Sequence, residues 1–178
     1  LQGRNDSLTE RAHMLLVGEM VASPFYTSLR TEKQLGYVVS AFASNHLRVP
    51  GLAMVVQSPT VDEAGIKSEM TGFLSAYSEQ VAKLSEADLQ RYKASVLSGL
   101  EEKPKNLSEL NGRFMESLGL GYSDFDFREQ LAVEIAAVTI ESLGSAYRAV
   151  TADELRGLVV ETVDIDQEGV MANLRKLT

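Results

Sequence analysis

A recurring helix-start signal limits the fold of this chain more than any other feature. Ser7-Leu-Thr-Glu10, Thr60-Val-Asp-Glu63 and Thr151-Ala-Asp-Glu154 are capping boxes, in which hydroxyl and carboxylate satisfy free backbone N–H groups reciprocally. Ser85-Glu-Ala-Asp88 and Asn106-Leu-Ser-Glu109 are looser forms of the same device. Apolar residues at helical spacing accompany them. Leu8, Ala12, Leu15, Leu16 and Met20 share one face, and Ile66, Met70, Phe73, Leu74, Tyr77, Val81 and Leu84 another. Leu89, Tyr92, Val96, Leu97 and Leu100 make a third stripe, closed by Pro104. Further helices are expected near Leu107–Leu118, Phe125–Val138 and Ile140–Val150.

Strand signals are fewer and come early. Tyr37–Ser44 and Gly51–Ser58 are β-branched or apolar runs joined by turn residues at Asn45–Pro50, which predicts an antiparallel hairpin. A third strand is expected at 157–163, and Leu1–Gly3 reads as the stub of another. Many helices with few, clustered strands imply an α+β fold, an antiparallel sheet with helices packed on one face. Repeats, low-complexity tracts and linkers are absent, so residues 1–178 read as one domain. The chain opens on Leu rather than Met and is expected to be a piece of a larger protein, with any targeting segment upstream.

Charge and composition exclude several functions. The 17 basic and 25 acidic residues give a net charge of −8, which repels phosphate backbones, and no nucleic-acid partner is expected. No apolar run reaches membrane-spanning length, so no membrane association is expected. With no cysteine there is no disulfide, thiol nucleophile or Cys-ligated zinc. The two histidines, His13 and His46, fall in different elements, and neither belongs to HExxH or HxxEH. Both are expected at or near the surface. There is no GxSxG elbow, GxGxxG or P-loop. Glu101–Glu102 and the acids of Asp124–Phe127 read as helix-end solvation and an N-cap rather than a carboxylate dyad. Composition and spacing alone define an α+β domain and no activity.

One stretch carries more. Ser23–Val39, SPFYTSLRTEKQLGYVV, runs from a helix tail through Leu35–Gly36 into a strand, with Arg30 and Tyr37 seven residues apart across the glycine. From the residues alone, Arg30 favours a helix C-terminus and Tyr37 reads as a core aromatic opening a strand. A glycine at the corner permits close backbone approach.

The string SPFY-x-x-LRT-x-x-QLGYVV closely resembles a signature near the start of the last domain of the pitrilysin–insulysin family, the inverzincin metallopeptidases of clan M16. GLAMVVQSP resembles the next strand of that domain, EEKPKNLSEL its Lys-Pro-x-x-Leu turn, and the FDF near Asp126 the Phe-Asp that follows. The resemblance extends to about Val150. It implies a domain of the LuxS-like metallohydrolase type, the fourth of four that enclose a chamber. It implies zinc in the N-terminal domain of the parent and none in this fragment.

On the same grounds Arg30 and Tyr37 reach substrate or transition state from the side opposite the metal, as auxiliary catalytic and substrate-binding residues, while Gln34 and Leu35 hold the corner. The implied partners are a peptide or small unfolded protein and the zinc-bearing half of the same polypeptide. The fragment alone is expected to be inactive and to self-associate through its uncovered faces. An alternative is a non-catalytic structural or peptide-docking domain of a degenerate assembly. The compartment is not specified, although bacterial relatives are often periplasmic.

Overall fold

Ser7 accepts the Glu10 N–H and opens α1 (Leu8–Tyr26) in the computed structural model, which describes residues 1–122, 125–152 and Val160. A π-helical turn, Thr27–Glu32, continues α1 without a break. Next come β1 (Val38–His46), β2 (Val49–Gln57), α2 (Glu63–Val81), α3 (Glu86–Glu101), α4 (Leu107–Gly119), α5 (Phe127–Ala137) and α6 (Ile140–Thr151). The strands pair antiparallel, from Val38 opposite Gln57 to His46 opposite Val49. Leu1–Gly3 lies along the far side of β2, as expected of a strand stub: Gln2 bridges Gly51, and the Gly3 N–H donates to Pro50 C=O at 2.7 Å.

The α+β expectation holds. Helix α1 crosses the inner face of the hairpin, with α3, α5 and α6 packed against it. Val39, Ala41 and Leu52 point into the core, while Val38, Phe42 and Val55 face outward and are exposed. The alternation follows from the two-residue period of a strand with one covered face. Gly18 makes the crossing close, since a Cβ there would lie 2.5 Å from the Ala43 nitrogen.

Several boundaries differ from those expected. The hairpin connection shrinks from Asn45–Pro50 to the pair Leu47–Arg48, because Leu47 adopts φ 54°, the left-handed geometry that lets a two-residue turn match strand twist. Helix α2 starts at Glu63 rather than after Thr60. Asp62 takes the cap, its carboxylate accepting the Gly65 N–H at 2.9 Å. Ser85 and Asn106 cap as expected. Thr151 ends α6, and Asp153 and Glu154 of its expected capping box lie outside the described residues, as does the strand expected at 157–163, Val160 apart. Asp126 occupies the N-cap position of α5 without making a side-chain cap bond. Asp124, from the same acidic stretch, lies outside the described residues.

The core is stitched by aromatic rings. Phe25 of α1 meets Phe73 edge-on at 5.2 Å, Phe73 stacks on Tyr77 at 5.4 Å, and Tyr77 meets Tyr147 of α6 at 6.0 Å. Pro24 sits inside α1 and has no N–H to give the Met20 carbonyl four residues back. Tyr77 supplies the donor instead: its buried hydroxyl donates to Met20 C=O at 3.0 Å. Tyr77→Phe should therefore leave a buried carbonyl unsatisfied and cost about 1–3 kcal/mol in denaturant unfolding.

Burial, with the neighbouring Tyr92 adding to it, pushes the Tyr77 phenol well above its ordinary value of 10.0, and burial pushes up Tyr147 likewise. The unfolded chain then ionises these phenols first, so it binds fewer protons than the folded one as the pH climbs. The stability they contribute is complete below about pH 10 and declines above it.

Candidate functional site

The segment after α1 is fastened at both ends. Leu29 and Leu35 are buried, and the Leu35 N–H donates to Leu29 C=O at 3.0 Å, while the Lys33 N–H donates to Ser28 C=O at 3.0 Å. The second bond spans five residues, the mark of a π-turn, a rare geometry that recurs at functional positions. Gln34 then turns the chain with φ 52°, and Gly36 lies flush on β2. A Cβ at Gly36 would fall 1.7 Å from the Gln57 carbonyl oxygen. The glycine thus serves close approach, as expected, but the left-handed corner belongs to Gln34. Lys33 pairs with Glu69 of α2, tying the turn to the helix layer.

This geometry brings the two sequence-predicted residues together. Arg30 leaves the π-turn and Tyr37 leaves the strand entrance so that the guanidinium carbon lies 5.4 Å from the phenol ring centroid. Such a cation–π contact holds two otherwise free side chains in one place. Tyr37 is 83% exposed, so its reading as a core aromatic does not hold. Arg30 is half-buried and makes no ion pair among the described residues, leaving its N–H groups for an outside acceptor. Together they present a neutral O–H and a fixed cation at one corner, a set suited to a carbonyl oxygen gaining negative charge.

The other candidates are not drawn into this corner. The ring nitrogen Nδ1 of His13 lies 2.7 Å from Thr9 C=O, and His46 is exposed at the end of β1. No three His, Asp or Glu side chains gather to hold a metal among the described residues, so the groups present here do not fit a zinc ion. Lys33 and Glu69 escaped sequence reasoning, which placed Gln34 at the corner but not its left-handed conformation. Only glycine or asparagine signals such a φ reliably, and the ion pair joins residues 36 positions apart.

An antiparallel hairpin crossed by a long helix, with further helices on the same face, is the fold of a pitrilysin-like M16 C-terminal domain. The crystal structure of pitrilysin superposes with a TM-score of 0.76 at 23% identity, covering 83% of this chain and 16% of that one. The inactive peptidase domain of a putative zinc protease from Bordetella parapertussis superposes with a TM-score of 0.68 at 12% identity, covering 85% and 84% of the two chains.

The chain belongs to the family described as PQQ synthase PqqF-like, C-terminal lobe domain 4, which matches residues 16–115. Protease 3 of Escherichia coli K12 is 23% identical over 164 residues, which is 92% of this chain and 17% of that protein. The A-factor-processing enzyme of Saccharomyces cerevisiae is 24% identical over 132 residues, 74% of this chain and 13% of that protein. The chain therefore spans a small fraction of the length of these relatives.

Proposed function

We propose that residues 1–178 are the last, non-zinc-binding domain of an M16 zinc metalloendopeptidase, closing over the peptide and presenting Arg30 and Tyr37 to its reacting carbonyl. The observation that carries this reading is the stacking of Arg30 on an exposed Tyr37 at a corner held by Leu29, Leu35 and Gly36. As a peptide bond is attacked, charge grows on the carbonyl oxygen. The Tyr37 hydroxyl donates a hydrogen bond to that oxygen, and the Arg30 guanidinium adds a positive field and further donors. Closure of the domain on the peptide excludes water and strengthens both contacts. Zinc, in the N-terminal half of the parent, supplies Lewis-acid polarisation and water activation. On this reading the chain alone cleaves no peptide.

A second reading is a non-catalytic docking or scaffold domain. It is favoured by the superposition on a domain described as inactive, which shows that this fold also occurs without catalysis. Peptide cleavage by the parent protein, with and without a chelator, separates the two. Chelator-sensitive cleavage supports the peptidase. In that case Arg30→Ala should lower kcat/KM by roughly tenfold or more, the effect of removing a charged hydrogen-bond donor. A folded parent that cleaves none of a varied peptide set supports the scaffold.

A further inference from the structure

Among the described residues, β1 leaves one edge of the sheet open. The hydrogen bonds of β2 show which groups line it. Leu52 donates its N–H to Leu1 C=O at 2.8 Å and accepts from the Leu1 amino group at 2.8 Å, while Pro50 C=O accepts from Gly3. Positions 50 and 52 therefore turn away from β1. Their partners across the ladder, Asn45 and Ala43, must turn away from β2, because both members of a non-hydrogen-bonded antiparallel pair point outward. The alternation continues through Ala41 and Val39. The N–H and C=O groups of these residues form the free edge.

Beneath that edge, between α1 and α3, runs a groove of about 450 Å³. Leu15, Glu19 and Ala22 form one wall, and Val96, Gly99 and Leu100 the other. Arg128 also borders it, but its guanidinium is occupied by the carbonyls of Leu100 and Gly99 near the end of α3. Glu19 is exposed and has no ion pair among the described residues, so it is the groove's uncommitted charge.

We propose that this edge and groove bind an extended peptide segment as an added strand, with apolar side chains and one basic side chain directed inward. Only an extended backbone matches a row of outward N–H and C=O groups along a strand. Alternate side chains of such a strand would drop between α1 and α3, and the carboxylate of Glu19 selects lysine or arginine among them. The edge begins beside Tyr37, so the added strand runs directly from the Arg30–Tyr37 corner. Its identity as substrate rests on the peptidase reading; its binding does not.

Amide hydrogen exchange on the full chain tests this without zinc or cleavage. The probe is an extended peptide of about ten residues, a typical long-strand length, with threonine on one face and leucine around a central lysine on the other. It should slow exchange at Val39, Ala41, Ala43 and Asn45. It should bind about fivefold more tightly than its glutamate counterpart, with the preference reversed by Glu19→Lys. N-methylation of the peptide along its pairing edge should abolish the protection. Three results would overturn the proposal: no protection at these amides, protection indifferent to N-methylation, or protection that grows with protein concentration in the absence of peptide, which would mean a second copy at the edge. A negative result here leaves the roles of Arg30 and Tyr37 standing, and a loss of those roles leaves edge binding standing.

Discussion

Tyr37→Phe in the parent protein, if it is the proposed peptidase, should lower kcat roughly 100-fold while leaving KM nearly unchanged, the loss expected when one oxyanion donor is removed. The substitution is clean. The phenyl ring stays, so Arg30 keeps its stacking partner 5.4 Å away. The side chain is 83% exposed, so the hydroxyl contributes nothing to the core and the melting temperature should not move. A kcat that stays at the wild-type level would remove the phenol from the transition state. A fall in kcat/KM carried wholly by KM would make it a ground-state contact.

Gly36→Ala should have the largest effect on folding. The added Cβ would lie 1.7 Å from the Gln57 carbonyl oxygen and 2.7 Å from its carbon, and both are backbone atoms that cannot rotate aside. Relief requires the entrance of β1 to lift from the end of β2, opening the Val38–Gln57 pair. Overpacking of this kind costs about 3 kcal/mol, which lowers the melting temperature of a domain this size by roughly 6–12 °C. Arg30 and Tyr37 would part as the corner moves, so activity in the parent should fall with stability. Gly72→Ala is the contrast. Nothing lies within 4 Å of the added methyl in α2, and the exchange should stabilise by up to about 1 kcal/mol through helix propensity. Equal thermal shifts for the two variants would show that close approach is not what Gly36 provides.

How far the fold was legible depended on whether local chemistry decided each element. Ser7, Ser85 and Asn106 accept the N–H three residues on and cap their helices, but the Ser7 box is not reciprocal, because the Glu10 carboxylate turns to Arg4 and the Asn5 side chain takes the Ser7 N–H. Thr60 loses to Asp62, a rival cap two residues on, while the Ser58 hydroxyl takes the Thr60 and Val61 N–H groups. The cap of α6 was missed because its box is closed by a hydroxyl, Ser142, answering Thr139 where a carboxylate is the usual signal. The hairpin turn carries no glycine at its positive φ, so Leu47 gave no warning and the connection read as longer than it is.

At the candidate site, the motif named Arg30 and Tyr37 but not their exposure or contact. Those depend on a π-turn set by hydrogen-bond register and on a left-handed glutamine, and neither has a compositional signature. Membership of the family was legible because the Arg–Tyr string is long and specific. The outermost place of β1 among the described residues was not, since pairing partners far along the chain determine which strand is outermost.

The Tyr77–Met20 hydrogen bond has a consequence for the order in which the chain matures. The donor stands 57 residues downstream of the carbonyl it satisfies. During synthesis, which delivers the N-terminal segment first, α1 emerges with its proline gap unfilled and must wait until α2 has left the ribosome and docked. The last turns of α1, and the corner that carries Arg30, therefore become rigid late, in the same event that brings Phe73 and Tyr77 of α2 onto Phe25.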